Sequence, residues 1–454
     1  MARLTTLTPD DPKLAELLGS AHARFQRLVA EADERARPFY AAKLGRAMGC
    51  EEAIAEIFDA VDHEGDAAIV RYSELFDGSA LAPAQLRVTE QEIEAAWASV
   101  EPALREALTT ATEAITTYQQ RLLPHSFGTE LDEPLGVRWT PLDRVGAYVP
   151  GGPGGSLPLC STVLMNLVPA KVAGVPELVL VTPPRADGSV APELLAAAKA
   201  AGVTEIYKVG GVQAIAALAC GSASIPRVDK IVGPGNIFVT LAKRQAYGRV
   251  DIDMLAGPSE VMVIADSSCN PAWIAADLLS QAEHDQLAMA VLLTVEPGID
   301  VAIQVEVERQ LAALPEQRRV VAEASIDRMG LCVPCTSLDQ AVSISNRYGA
   351  EHLEILLADP KPAVAAIRHA GAIFVGGYSP EPIGDYVAGP SHTLPTGGTA
   401  RMWSGIGTDT FMKRSSIINL DRAGFEALAP HAVTLARAEG LEAHARALEA
   451  RLNG

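Results

Sequence analysis

Val145-Gly146-Ala147-Tyr148-Val149-Pro150-Gly151-Gly152-Pro153-Gly154-Gly155 is the stretch on which the fold turns. A short apolar run ends there in glycine and proline, and a helix-like run follows over 161–174. The same unit then recurs. An apolar, β-branched run at 178–181 ends in Pro183-Pro184, and a helix over 192–201 stops at Gly202. A strand at 206–209 ends in Gly210-Gly211 before a helix over 213–220. A strand at 230–232 ends in Gly233-Pro234-Gly235-Asn236 before a helix running to 247. Strands alternating with helices predict a right-handed parallel sheet. The three glycine-rich turns then share its carboxyl edge, where open α/β folds bind ligands. Helix-start N–H groups there suit phosphate. No turn completes G-x-G-x-x-G, since Gly233-x-Gly235 lacks the third glycine. With Tyr148, Gln213 and Asn236 beside them, the turns suggest a nucleotide. The plainer alternative is that the glycines serve only tight strand–helix turns.

Alternation resumes near residue 260. Strands are expected at 261–265, 290–295, 351–355 and 372–375, with helices at 301–314, 338–348 and 363–370. The chain therefore reads as two similar α/β domains. Residues before 145 are mostly helical, with amphipathic runs at 51–61 and 90–123, and are expected to complete the second domain. Residues 134–143 read as a short strand pair. Beyond about 401 the alternation ends, and helical segments are expected at 411–417, 424–428 and 441–452. A helical arm outside two closed domains usually packs on a neighbour, often a symmetric partner.

One helix carries unusual polar residues. It begins at Asn270-Pro271, a good N-cap followed by proline at the first helical position, and is expected to run on towards Met289. Asp277, Gln281 and His284 then share a face among Ile274, Leu278 and Leu279. An unpaired buried amide or imidazole costs ~1–3 kcal/mol, so the stripe needs partners. Gln281 and His284 could chelate a metal; a hydrogen-bonded His at a domain interface is the other reading. Glu351-His352 pairs a carboxylate with an imidazole suited to proton transfer near neutral pH. Asp385 and His392 lie in a glycine- and proline-rich loop, 384–398, read as site wall. His22, His63 and His125 have no companions and read as surface or capping residues, as do His431 and His444 on sequence alone.

A chain of 454 residues exceeds one ordinary core, and 48% hydrophobic with 20% charged residues is a soluble globular composition. The net charge of −19 argues against nucleic acid and anionic membrane but does not oppose a cationic substrate. The first residues lack an apolar signal core, and no run approaches ~18 apolar residues, so a cytoplasmic protein is expected. The cysteines are Cys50, Cys160, Cys220, Cys269, Cys332 and Cys335. Cys332-Val-Pro-Cys335 has redox or half-zinc spacing, but no second pair completes a zinc knuckle.

Taken together, these stretches resemble the histidinol dehydrogenase family. They are Tyr148-Val-Pro-Gly-Gly, Val209-Gly-Gly-Val-Gln213, Ile231-Val-Gly-Pro-Gly-Asn236 and Asp251-Ile-Asp-Met-Leu-Ala-Gly-Pro-Ser259-Glu. Asp277-Leu-Leu-Ser-Gln281-Ala-Glu-His284-Asp, Asn346-Arg-Tyr-Gly-Ala-Glu351-His352-Leu, Ile383-Gly-Asp385-Tyr, His392-Thr-Leu-Pro-Thr and Glu439-Gly-Leu-Glu-Ala-His444 follow in the family's order. The resemblance implies two Rossmann-like parallel-sheet domains. Residues 1–45 would be a helical N-terminal segment, and 46–147 plus 259–405 the domain carrying zinc and catalytic residues. Residues 148–258 would bind NAD, and 406–454 would be an arm exchanged in a homodimer. It implies zinc held by Gln281, His284, Asp385 and, from the other subunit, His444. It places catalysis at Glu351 and His352, and NAD at Tyr148, Gln213 and Asn236. Substrate would meet Ser259, His392 and the partner's Glu439, besides His352 and the metal ligands. The implied reaction is a four-electron oxidation of L-histidinol to L-histidine through bound L-histidinaldehyde, with His352 taking the hydroxyl proton and Glu351 activating water. The stretch Gly154–Cys160 lengthens the first turn relative to the family pattern. Val212, Pro382 and Ser391 stand where Ala, Ser and Asn are common. A relative oxidising a sulfonated diol is a competing reading, though Glu439 and His444 suit an amino alcohol. A non-catalytic NAD-binding sensor is another.

Overall fold

The computed structural model describes residues 2–19, 21–151 and 157–453. The expected glycine turn at Gly152–Gly155, and with it the start of the lengthened segment, lies outside them. The chain divides into two compact units, one of Met1–Leu122 with Asp143–Phe411, the other of Leu123–Leu142 with Met412–Gly454. In chain order the strands begin with β1 (Thr5–Thr6) and β2 (Leu135–Pro141). A first alternating set follows: β3 (Arg144–Tyr148), β4 (Glu177–Thr182), β5 (Glu205–Lys208), β6 (Lys230–Val232) and β7 (Asp251–Ile252). The second set is β8 (Glu260–Ala265), β9 (Met289–Thr294), β10 (Leu331–Pro334), β11 (His352–Leu356) and β12 (Ala372–Val375), before β13 (Met412–Ile418).

Both sheets of the first unit are parallel, as the alternation predicts. One has the order β5-β4-β3-β6-β7, the other β1-β10-β9-β8-β11-β12. Apart from the added β1, the order is the same when each set is numbered from its own start. The first strand is central, the second and third lie to one side, and the fourth and fifth to the other. Each sheet thus reverses direction between its first and fourth strands, β3/β6 and β8/β11. β8 and β9 read EVMVIA and MAVLLT and are buried throughout, as strands covered on both faces require. Among the described residues no helix is long and apolar enough to cross a membrane.

Several expectations are corrected. Of the helices before residue 120, only the short Pro12–Leu17 packs on the second sheet, through Leu14, and the longer ones do not complete it. Cys50–Glu64 and Asp66–Asp77 present Ala53, Ile54, Ile57, Phe58 and Ile69 to the core of the first sheet, with Ile215, Leu218 and Leu241. The second sheet has no face free for them. Pro271–Ala282, Ile299–Ala313 and Glu316–Met329 cover one side, and Leu338–Tyr348 with Leu7, Leu14 and Leu18 covers the other. Periodicity shows that a helix has an apolar face, not which sheet receives it. Residues 1–45 are not simply helical, because β1 extends the second sheet by pairing with β10. A boundary between 147 and 148 would also cut β3. Cys332 and Cys335 belong to the cores on opposite faces of that sheet, and burial pushes both thiols up, to about 12 and about 11. Neither can share a ligand with the other.

The expected helix at 411–417 is a strand. β13 pairs antiparallel with β2 from Met412↔Pro141 to Ile418↔Leu135, a partner far away in sequence that local pattern does not reveal. Residues 134–143 are accordingly not a hairpin: β2 belongs to the second unit and β3 to the first. The second unit ends in two helices, Arg422–Ala438 and Glu442–Leu452, that pack on each other. Leu428 and Leu435 on the first of them and Leu441, which precedes the second, are 56%, 63% and 43% exposed.

The polar helix is also shorter than expected. Asn270 caps it through the N–H of Ala272, but it ends at Ala282. Asp285 then accepts from Leu287 N–H and turns the chain into β9. His284 lies in that turn, so the seven-residue helical spacing from Asp277 does not apply to it. Its N–H donates to the Gln281 carbonyl at 3.2 Å, which keeps the two residues one tight turn apart.

Candidate active site

Two strand starts bring the acid–imidazole pair into register. β11 pairs with β8 so that His352 lies opposite Val261, with Glu351 and Glu260 just before them. Glu260 then serves both catalytic candidates through its backbone. Its N–H donates to Glu351 Oε2 at 2.8 Å, and its carbonyl bonds His352 Nδ1 at 2.9 Å. A carbonyl can only accept, so Nδ1 carries the proton and Nε2 is left as the second titrating position. His352 Nε2 is buried without a hydrogen-bond partner; Asp385 Oδ1 is 3.6 Å away, beyond hydrogen-bond range. The Glu260 side chain is itself pinned, its Oε1 accepting from Tyr348 OH at 2.5 Å and Gly397 N–H at 2.8 Å.

Around His352 the protein gathers negative charge. Glu351 Oε2 lies 3.7 Å from Nδ1 and Glu381 Oε1 4.0 Å. Ligand atoms of His284, Glu381 and Asp385 lie within 4.8 Å of one another. His392 Nδ1 bonds the Asp385 carbonyl at 3.0 Å. Behind Glu381, the buried Glu354 accepts its N–H at 2.7 Å and feels the negative charge of the nearby Asp277. The loop is tied to the helix Cys160–Val172, which follows the carboxyl end of β3. Ser391 Oγ donates to Met165 O at 2.9 Å, and Thr393 Oγ1 to Asn166 Oδ1 at 3.3 Å.

Burial and mutual repulsion set the titration. Burial pushes Glu351 up to about 8 and Glu381 up to about 7, against the pull of His352. It also raises Asp277 and Glu354, whose closeness raises Glu354 further. Burial would lower His352, but Glu351, Glu381 and Asp385 outweigh it and hold the ring well above its ordinary value. Burial would raise Asp385, but neighbouring His352 keeps it below the usual carboxylate range. Burial holds His284 and His392 low, suiting neutral, ligating rings. A cation at the carboxylates would offset the field that raises His352.

The cation-free protein therefore has a definite pH response. Above pH 6.5 the lowered groups, His284, His392 and Asp385, no longer alter stability. Glu351, Glu381 and His352, raised in the folded state, contribute stability that is lost as pH climbs through their folded values. The urea midpoint of chelator-treated protein should fall between pH 6.5 and about 8; a rise across that window would contradict the burial argument.

A metal would suit this set. Gln281 is fully buried, and neither Oε1 nor Nε2 has a partner. With His284 one turn on and Asp385 beside it, the donors are an amide oxygen, an imidazole and a carboxylate, all of which ligate zinc or similar ions. His284 keeps an exposed face.

The other expected site residues fall in three further places. Tyr148 ends β3 and is buried, with its OH accepting from Gly211 N–H at 3.3 Å. Gln213 Nε2 donates to Asp77 Oδ2 at 2.9 Å. Asn236 caps the helix Ile237–Ala246 through Phe238 and Val239 N–H. These mark the carboxyl edge of the first sheet. Ser259 immediately precedes β8, its carbonyl bonded to Met289 N–H at 3.0 Å. Glu439 and His444 belong to the second unit, both exposed.

Glu260, Glu381, Glu354 and Asp77 escaped the sequence reading. Two signals were available. Glu381-Pro382 opens a short helix, Glu381–Tyr386, on which Glu381 and Asp385 share a face at i, i+4. Glu354 is a lone acid flanked by Leu353 and Ile355 within a buried strand.

Known proteins carry the same architecture. The histidinol dehydrogenase family model matches residues 43–452. The histidinol dehydrogenase of Moorella thermoacetica is 54% identical over 405 residues, covering 89% of this chain and 94% of that protein. That of a Synechococcus species is 52% identical, covering 88% and 92%. The crystal structure of histidinol dehydrogenase from Elizabethkingia anophelis matches with a TM-score of 0.88 at 34% identity, covering 100% of this chain and 99% of that one. A family match across most of the chain, with relatives sharing half their residues, means that this chain belongs to the histidinol dehydrogenase family, oxidoreductases of histidine biosynthesis.

Proposed function

We propose that this chain oxidises L-histidinol to L-histidine through bound L-histidinaldehyde, with NAD⁺ as acceptor and one Zn²⁺ per subunit. The observation that carries the reading is Gln281, a buried amide with both polar atoms unpaired, one turn from His284. Such a group costs ~1–3 kcal/mol unless a ligand answers it. Gln281, His284, Asp385 and the partner subunit's His444 would hold the zinc. Two neutral rings, one amide oxygen and one carboxylate leave such a site at about +1. When bound, zinc acidifies the alcohol and NAD⁺ accepts hydride.

The chain's own groups do the rest. His352, oriented through Nδ1 by the Glu260 carbonyl, takes the hydroxyl proton at Nε2. Glu351, held by Glu260 N–H, accepts a proton from the water that hydrates the aldehyde. Ser259, His392 and the partner subunit's Glu439 would position the substrate. Tyr148, Gln213 and Asn236, on the edge with Gly211 and Gly233, would border the dinucleotide. The gathered carboxylates of Glu351, Glu381 and Asp385 favour a cationic amino alcohol and disfavour an anionic sulfonate. Exposed Leu428, Leu435 and Leu441 support a homodimer that covers them, and the six free cysteines suit the cytoplasm.

NADH formed per L-histidinol tests this reading. Two per substrate are expected, and none after treatment with a chelator until zinc is restored. One NADH per substrate, or turnover indifferent to chelation, would overturn it.

A further inference from the structure

Gly233 closes β6 at a φ of +109°, and a Cβ there would lie 2.2 Å from the Tyr148 carbonyl oxygen. The turn therefore crosses directly over the end of β3, and its height admits no side chain. Both polar groups of Gly233 are gripped. Its N–H donates to Asp253 Oδ2 at 2.8 Å, and its carbonyl accepts from Lys243 Nζ at 2.9 Å. Lys243 and Asp253 also form an ion pair, with side chains 3% and 0% exposed. Asp253 Oδ1 accepts from Met254 N–H at 2.6 Å, which begins the segment leading to Ser259. That segment is held at two further points. Ala256 O accepts from Thr240 Oγ1 at 3.0 Å, on the helix of Lys243, and Gly257 N–H donates to Thr396 Oγ1 at 2.5 Å, in the loop of His392.

A buried ion pair is a poor source of stability, because desolvating two charges offsets most of their attraction and a packed apolar pair often does as well. An apolar pair could not hold the N–H and the carbonyl of one glycine while also anchoring the next segment. We propose that Lys243 and Asp253 are a positioning pair for the dinucleotide. They set the turn 233–236 against the segment 254–259, so that the cofactor edge and the substrate residue Ser259 keep a fixed separation. The inference rests on the NAD reading given above.

The test uses the zinc-loaded protein. Binding of NADH to the parent, followed by fluorescence, comes first; a parent that does not bind it refutes the NAD reading itself before any variant is made. The variant Lys243→Met with Asp253→Asn removes both charges and the lysine donor. It leaves one side-chain oxygen, which can take the place of Oδ2 as acceptor for Gly233 N–H, while Met254 N–H loses its Oδ1 acceptor. It should fold, keep its zinc and bind L-histidinol as the parent does, while NADH binding weakens about tenfold or more. NADH affinity within about twofold of the parent would overturn the proposal, as would equal weakening of L-histidinol. Failure of the double variant to fold would also overturn it, since the pair would then serve the fold and not the turn.

Discussion

Replacing His352 by Asn should lower turnover about 10³-fold or more while zinc content and NADH affinity stay at parental values. The expectation follows from how the ring is held. The Glu260 carbonyl fixes Nδ1 as a donor, and Asn can keep that bond through its amide. No group of Asn can take a proton as Nε2 does. Because Nε2 has no protein partner, its replacement leaves no other side chain unpaired. In the zinc-loaded protein, where the cation offsets the field on His352, the loss should therefore appear in kcat. Metal analysis and stopped-flow NADH formation on the purified variant check it; turnover near the parental rate would refute the role.

The second large effect is expected at Glu351. Gln is its isostere and can still accept from Glu260 N–H, so Glu351→Gln changes proton transfer and little else. If Glu351 acts only in hydrating the aldehyde, the two hydride transfers should separate. A single turnover should produce the first NADH near the parental rate and the second about 10²-fold more slowly. Burial pushes this carboxyl up to about 8, so it gains basicity as pH rises towards that value. The second transfer in the parent should accelerate with pH through that range, and in the variant it should not. Equal slowing of both transfers, or two NADH at the parental rate, would remove Glu351 from the hydration step.

Elements whose cause is local were legible in the residues. Val261–Ala265 of β8 and Met289–Leu293 of β9 are unbroken apolar runs, and Asn270 caps its helix through its own side chain. Glycines stop the strands β5 and β6 because the chain must turn there at positive φ. The shared carboxyl edge of β3, β5 and β6 followed from alternation alone, since parallel strands joined by helices must all point one way. Gln281 stood out because a polar group in apolar surroundings requires a partner, and Glu351-His352 because a carboxylate beside an imidazole can move a proton near neutral pH.

What tertiary structure decided was pairing between distant parts. The face of 50–64 could have covered either sheet; it went to the first because the second was already closed by its own helices. β13 exists because β2, some hundreds of positions earlier, offers it a ladder, and its own residues carry no such instruction. His284 left the helix because β9 must begin at Met289. Glu260 and Glu381 join the site only because β8 lies beside β11 and a short helix returns past it. Hydrophobic period is written along the chain, whereas the partner of each buried surface is settled by which contacts the whole fold can satisfy at once.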